Sequence, residues 1–308
     1  MKTSRQEQAP RDITGIMLEA AWQVAEKSNA RSIFANVEAL VDRKLPERLQ
    51  KKIQLVSVVK DEQLYAAAKK ITRKVLQVPN VKLGRVGQVK LVVLMGLSAN
   101  LVQKEDTIVY LPQNPNDGSL DGIMVIDVAK EFDLITSPEV IDIGKSVRRD
   151  VFEAVVSLAL ELAHEGREGK PVGAIFVVGD HEKVLEISRQ ITLNPFRGYE
   201  ESERNILDPT LRDTIKEFAA LDGAFVITAD GTVVTSGRHL SAALEGEDFP
   251  QGLGSRHVAA AGISDVTNAI AITISESTGT VRVFRGGKIL VELEKAAPIG
   301  RPSKQWQA

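Results

Sequence analysis

Three short polar elements in the second half of the chain carry residue types that suit phosphate chemistry: Asp222-Gly223-Ala224, Gly254-Ser255-Arg256-His257 and Ser275-Glu276. A carboxylate beside a glycine can hold a metal ion or orient a hydroxyl group. A glycine, a hydroxyl, an arginine and a histidine in succession can direct several hydrogen-bond donors at phosphate oxygens. Together the three elements predict a site that joins nucleotides.

The same elements resemble the motifs of the diadenylate cyclases, which join two ATP molecules into cyclic di-AMP and release pyrophosphate. In that family an Asp-Gly-Ala motif begins a strand, a Gly-Thr-Arg-His-Arg motif opens a helix, and a Ser-Glu step closes a later strand. Here the second motif reads Gly254-Ser255-Arg256-His257-Val258. The likeness extends upstream to residues 173–178 and covers about residues 147–294, roughly half of the chain.

The resemblance implies roles for individual residues. Asp222 and Glu276 would bind a divalent ion, Mn²⁺ or Mg²⁺, and Asp222, Arg256 and His257 would form the catalytic set. The residues implied in nucleotide binding are Gly223, Ala224, Leu240, Gly254, Ser255, Arg256 and His257.

The chain departs from the family pattern at two positions. Val258 stands where the family usually has a second arginine, and Leu221 stands where many members have a histidine. The alternative function is therefore a sensor that binds ATP or cyclic di-AMP without making product. A further alternative places an effector site in the N-terminal half.

Several of these signals have plainer interpretations. Asp-Gly is a common turn dipeptide, and Leu120-Asp121-Gly122 repeats it without a downstream Arg-His element. An Arg-His pair can also simply cap a surface helix. Gly144-Lys145-Ser146 resembles the end of a P-loop, but Glu139 occupies the position of its first glycine.

Composition restricts the possible partners. The chain has 308 residues, 39 basic and 41 acidic side chains and a net charge of -2, so we expect no binding to DNA. It lacks cysteine, which excludes thiol catalysis and disulfides. No apolar run approaches the ~20 residues that span a bilayer, and the N-terminus lacks a signal-like apolar core, so we expect a cytoplasmic protein without a membrane partner.

The alternation of strand and helix signals predicts an α/β fold with three regions. Residues 1–144 would form an α/β domain with a mainly parallel sheet, which resembles the carboxy-terminal domain of pyruvate kinases and could be regulatory. Residues 145–295 would form the cyclase domain, a mixed central sheet surrounded by helices, and residues 296–308 a tail. Because cyclic di-AMP is two-fold symmetric, the expected enzyme is a homo-oligomer whose half-sites face each other, each binding one ATP.

Local patterns predict the elements. Residues 16–28 and 63–76 read as helices, and the apolar run Val89–Met95 reads as a strand. Ser146 is the expected N-cap of a helix that ends near Gly166, and Asp208-Pro209 should start another. Strands are also predicted at residues 53–59, 107–111, 122–128, 172–178, 184–187, 224–228, 232–236, 269–275, 280–284 and 288–293. Ala229-Asp230-Gly231 predicts a hairpin that joins strands 224–228 and 232–236, and residues 237–240 follow its second strand. A helix is expected to start near residue 256.

Overall fold

The structure is a computed structural model that describes residues 12–41, 53–114, 119–131, 146–242 and 253–295. The described residues divide into two compact units. Residues up to 77 and residues 105–131 form the first unit, and residues 78–104 and those from 146 onward form the second. Residues 132–145, which contain the predicted domain boundary near residue 144, and the predicted tail at residues 296–308 lie outside the described residues, so that boundary stays a prediction.

The described elements of the first unit are α1 (Ile13–Lys27), β1 (Ser32–Asn36), β2 (Gln54–Val59), α2 (Tyr65–Ile71), β3 (Lys74–Gln77), β4 (Thr107–Leu111), β5 (Met124–Asp127) and α4 (Val128–Glu131). In the part of the chain that the structure describes, these strands form one sheet with the order β3-β2-β1-β4-β5. Neighbouring strands are parallel except that β5 runs antiparallel to β4, which confirms a mainly parallel sheet.

The central strand β1 was not predicted from the sequence. All five of its residues are buried, and they hydrogen-bond with β2 on one side and β4 on the other. Its ends, Ser32 and Asn36, are polar, so the apolar core of the pattern is only three residues long. A run that short carries too little periodicity to predict a strand.

The elements of the second unit are α3 (Arg85–Ser98), α5 (Arg149–Glu165), β6 (Ala174–Val178), α6 (His181–Glu186), β7 (Ser188–Gln190), α7 (Pro209–Phe218), β8 (Ala224–Ile227), β9 (Val233–Leu240), α8 (Ser255–Val266), β10 (Ile270–Ile274), β11 (Val281–Arg285) and β12 (Lys288–Leu293). The described strands form a mixed sheet surrounded by helices, which confirms the sequence prediction. Their order in the sheet is β12-β11-β10-β6-β8-β9-β7.

The register of three adjacent strands fixes which loops meet. Strand β6 is parallel to β8, with Ile175 opposite Ala224, and antiparallel to β10, with Ala174 opposite Ile274. The starts of β6 and β8 therefore lie at the same sheet edge as the end of β10. Side chains just before β6 and β8 and just after β10 consequently lie at one end of the sheet, with those of β6 in the middle.

Two element predictions were wrong because apolar runs are ambiguous between strand and helix. The predicted strand at residues 89–95 lies inside helix α3, which buries nine residues and has Gly84 as its N-cap. The predicted strand at residues 184–187 lies mostly in helix α6, where Val184 is fully buried. An apolar run that is buried on all sides gives the same sequence pattern in either conformation.

Two predicted helix ends also needed correction. The helix predicted at residues 63–76 ends at Ile71, and β3 begins at Lys74. The N-cap of α5 is Arg148 rather than Ser146, whose hydroxyl instead accepts a hydrogen bond from Arg285. The C-cap predicted at Gly166 is confirmed by its φ of 66°.

The predicted start of α7 is also confirmed. The side chain of Asp208 accepts a hydrogen bond from the Thr210 amide, and Pro209 occupies the first turn. None of the helices in the described ranges is long and apolar enough to cross a membrane.

Candidate functional site

Asp222, Arg256 and Glu276 meet at the sheet edge formed by the starts of β6 and β8 and the end of β10. Arg256 Nη1 donates a hydrogen bond of 3.0 Å to Glu276 Oε2. Its Nη2 lies 3.6 Å from Asp222 Oδ1 and forms an ion pair with this residue, which stands two positions before β8. The arginine side chain is 37% exposed, whereas those of Asp222 and Glu276 are 84% and 61% exposed. One guanidinium therefore joins two carboxylates that solvent can reach.

Gly173 lies directly beneath this ion pair and was not assigned a role from the sequence. A Cβ atom at this position would lie 2.7 Å from Arg256 Nη1 and 3.1 Å from the Cβ of Glu276. The arginine head therefore occupies space that only a glycine leaves open. The signal available in the sequence was the glycine immediately before a buried strand, which often marks a close approach.

Arg256 projects from the first turn of helix α8. Gly254 is the N-cap, and Ser255 is the first helical residue, and both are exposed. The first amides of a helix have no intrahelical acceptor and carry a partial positive charge, which favours anions. Donors from the backbone and from Arg256 are thus available at one end of the same helix.

The structure does not bring the His257 imidazole to this surface. The residue is only 6% exposed, and its Nε2 lies 3.0 Å from Arg282 Nη1. Arg282 in turn pairs with Glu292, and the His257 ring lies near Phe284. Burial, followed by the neighbouring charge of Arg282, lowers the pKa of His257.

An arginine nitrogen can only donate, so His257 Nε2 accepts and the proton of the neutral ring resides on Nδ1. His257 Nδ1 is buried without a hydrogen-bond partner among the described residues. The ring therefore anchors helix α8 to strand β11 in this arrangement. Its role as a phosphate ligand stays a prediction.

Gly223 is required by the fold itself. Its φ is 109°, and a Cβ would lie 2.4 Å from the carbonyl carbon of Gly237 and 2.5 Å from the amide nitrogen of Arg238. Non-glycine residues rarely adopt this backbone conformation. The glycine lets the turn after Asp222 pass close to strand β9, which fixes where Asp222 leaves the sheet.

Ala224 and Leu240 contribute side chains to the core rather than to the surface. Both are buried, at 0% and 6% exposure, in a cluster that includes Ala260 and Ala261 of helix α8. Only their backbone atoms could face a nucleotide. The stretch 237–240 lies within β9 rather than after it, because β9 continues to Leu240.

Arg238 is half-buried, and hydrogen bonds hold its side chain in place. Its guanidinium donates to the carbonyl groups of Leu185 and Ser188 and to the Ser188 hydroxyl. Partial burial lowers the pKa of Arg238. Its contacts join β9 to the segment around β7, so its role in this structure is architectural.

The two carboxylates fit a divalent ion that also receives substrate oxygens. Among the described residues no group of three or more His, Cys, Asp or Glu side chains is placed to hold a metal. Mg²⁺ and Mn²⁺ sites in nucleotide enzymes commonly use one or two carboxylates and complete their shells with phosphates and water. The position between Asp222 and Glu276 already accommodates the positive charge of Arg256, which shows that the donor set suits a cation.

Comparisons with known proteins match two regions of the chain. Residues 161–289 match the family model described as DisA bacterial checkpoint controller nucleotide-binding, the DAC domain. Residues 15–136 match a model described as probable sensor domain DacZ_P. The likeness of the N-terminal half to pyruvate kinases stays a prediction.

The chain is also similar to curated proteins. A diadenylate cyclase of Methanocaldococcus jannaschii is 41% identical over 209 residues, which are 67% of this chain and 66% of the relative. A diadenylate cyclase of Haloferax volcanii is 48% identical over 151 residues, 49% of this chain and 54% of the relative. A cyclic di-AMP synthase of Bacillus subtilis is 38% identical over 74 residues, 22% of this chain and 27% of the relative.

The chain thus spans about two thirds of the length of the first relative and about half of the second. The DAC match contains Asp222, Arg256 and Glu276, the residues that meet at the sheet edge. This chain therefore belongs to the diadenylate cyclase family, with its DAC domain at residues 161–289.

Proposed function

We propose that the protein is a diadenylate cyclase that condenses two ATP molecules into cyclic di-AMP and releases two pyrophosphates. The observation that carries this proposal is the meeting of Asp222, Arg256 and Glu276 beside the start of helix α8. The names of the similar proteins support the same activity.

In each half-reaction the 3'-hydroxyl oxygen of one ATP forms a bond to the α-phosphorus of the other. The bond between that phosphorus and the bridging oxygen of the pyrophosphate breaks, and the hydroxyl proton is lost. Repeating the step in the opposite direction closes the ring. The protein's contribution to such reactions is mainly to position the reactants and neutralise charge.

Arg256 and the first amides of helix α8 are proposed to hold phosphate oxygens. Gly254 and Ser255 supply the exposed backbone at that helix end. Asp222 and Glu276 are proposed to hold Mn²⁺ or Mg²⁺, which when bound would neutralise the triphosphate and make pyrophosphate a better leaving group. Asp222 is also the carboxylate available to orient the attacking hydroxyl.

His257 is proposed to act from inside the domain. Its contact with Arg282 holds the first turn of helix α8, from which Arg256 projects. Gly223, Ala224 and Leu240 are proposed to shape the nucleotide pocket through their backbone, since the side chains of Ala224 and Leu240 lie in the core.

One chain would supply one half-site. Each subunit is proposed to bind one ATP, and two identical subunits would face each other because the product is two-fold symmetric. The active form would therefore be a homo-oligomer.

The test is mass spectrometry of the product after incubation with ATP and MnCl₂. Cyclic di-AMP should appear with the wild-type protein, disappear when EDTA replaces the metal, and disappear in Asp222→Asn. Asp121→Asn is the matched control because it changes the second Leu-Asp-Gly sequence, outside the DAC match, and should retain full yield. If the wild-type protein binds ATP but does not consume it, with either Mn²⁺ or Mg²⁺ present, the cyclase proposal is wrong. The alternative, a sensor that binds the nucleotide without making product, would then be supported.

A further inference from the structure

The guanidinium of Arg256 occupies the space between the two proposed metal ligands. Nη1 contacts Glu276, which follows β10, and Nη2 contacts Asp222, which precedes β8. The two terminal nitrogens of one arginine thus bind two different carboxylates. Gly173 leaves the room in which Nη1 lies, since a Cβ there would be 2.7 Å away. The arginine is thus seated in a fitted position rather than extended into solvent.

A divalent ion held by both carboxylates would compete with this guanidinium for the space between them. Mg²⁺ binds oxygen ligands at about 2.0–2.1 Å, whereas the arginine nitrogens lie 3.0 and 3.6 Å from the carboxylates. An ion held by both carboxylates would lie where the guanidinium now lies, and the two positive charges would repel each other. Binding of either cation between Asp222 and Glu276 therefore opposes binding of the other.

We propose that Arg256 closes the metal position in the nucleotide-free protein and that a bound triphosphate opens it. This inference rests on the proposed function, because it uses the same two carboxylates as metal ligands. Phosphate oxygens accept paired hydrogen bonds from arginine in a geometry that matches the guanidinium fork. When Arg256 turns to a triphosphate, Asp222 and Glu276 are released to the ion.

The consequence is a coupling between nucleotide and metal. If nucleotide binding removes the competitor of the metal, then metal binding must favour nucleotide by the same factor. The protein would bind little free Mn²⁺ without ATP, and the metal would enter with the substrate. Because both carboxylates are exposed, each ion pair with Arg256 is weak. The free-energy cost of moving Arg256 away from them is therefore small.

The test measures binding of Mn²⁺ alone, by the electron paramagnetic resonance signal of the free ion, without nucleotide. Arg256→Gln should bind Mn²⁺ about three- to tenfold more tightly than the wild type, which corresponds to the loss of two exposed ion pairs. Arg149→Gln is the matched control. It removes one positive charge and one arginine–glutamate pair from the same unit, 2.8 Å apart, away from the sheet edge.

Equal or weaker Mn²⁺ binding by Arg256→Gln than by the wild type would overturn the proposal. An equal gain in Arg149→Gln would overturn it as well, because the effect would then be one of net charge. Thermal unfolding midpoints of both variants establish that the protein remains folded in each measurement.

Two more variants separate this inference from the proposed function. In the Arg256→Gln background, Asp222→Asn and Glu276→Gln should each abolish the gain in Mn²⁺ affinity. If neither does, the ion binds elsewhere, and both the inference and the metal assignment are wrong. If the binding pattern holds but ATP gives no cyclic di-AMP, the cyclase is wrong and the competition between Arg256 and the ion stands.

Discussion

Arg256 Nη1 donates a 3.0 Å hydrogen bond to Glu276, a residue 20 positions later in the chain. The pair exists because helix α8 begins, and strand β10 ends, at the same edge of the sheet. This hydrogen bond connects the start of helix α8, which is proposed to bind phosphate, with Glu276, which is proposed to bind the metal ion. Changes near this pair should therefore affect catalysis before they affect folding.

Gly173→Ala should strengthen the binding of Mn²⁺ in the absence of nucleotide, by up to about tenfold, and leave the fold intact. The added methyl group would lie 2.7 Å from Nη1 of Arg256, and the end of that flexible side chain can move away from the two carboxylates at little cost. The signal of free Mn²⁺ and urea unfolding check the two halves of the prediction. Gly84→Ala is the matched control, since a Cβ there meets nothing within 4 Å. Wild-type affinity for Mn²⁺ in Gly173→Ala would show that the glycine does not hold Arg256 between the carboxylates.

Gly223→Ala should destabilise the folded protein. A Cβ would lie 2.4 Å from backbone, which cannot move as a side chain can, and φ is 109°. Strain and overpacking together should lower the free energy of unfolding by about 2–4 kcal/mol.

Gly286→Ala separates the two causes of that loss. Gly286 has φ of 55°, but a Cβ added there would meet no atom within 4 Å, so only backbone strain applies. We expect it to lose about 1 kcal/mol in urea unfolding. A Gly223→Ala protein as stable as the Gly286→Ala protein would contradict the close packing against β9.

His257 should make stability depend on pH. Burial and Arg282 lower its pKa below the ordinary value of 6.5, so the unfolded chain binds a proton that the folded protein resists. The free energy of unfolding should therefore fall as the pH drops below about 6.5, the pKa of an exposed histidine. Above that pH His257 should not contribute to the pH dependence of the free energy of unfolding.

Urea unfolding at pH 7.5 and 5.5 checks this prediction. His257→Gln should lose less stability between the two pH values than the wild type does. His239→Gln is the matched control, since it replaces an exposed histidine on β9 in the same way. The same slope in all three proteins would show that His257 is not the group that resists protonation.

Activity should depend on assembly. If two half-sites must face each other, the rate per milligram of protein should fall on dilution as the oligomer dissociates, because a single half-site holds only one ATP. Initial rates over a dilution series, with light scattering at each concentration, provide the measurement. A species with the mass of one chain that forms cyclic di-AMP at the full rate would rule out the facing arrangement.

The sequence alone determined the chemistry that is available and much of the layout. Motif residue types identified Asp222, Arg256 and Glu276, and turn and capping residues such as Asp208 and Gly166 marked element ends, because these signals are local. Period-two and continuous apolar patterns located most strands of the mixed sheet. The continuous runs in α3 and α6 were misread, since burial on all sides removes the difference between helix and strand.

Only the tertiary structure decided how these residues meet. The register of β6 with β8 and β10 brings the three charged side chains to one edge and places Gly173 beneath them. Adjacent positions on a helix point about 100° apart, as follows from 3.6 residues per turn. Arg256 therefore faces the carboxylates while His257 turns into the core towards Arg282. Such relationships depend on contacts between distant parts of the chain, which no local pattern encodes.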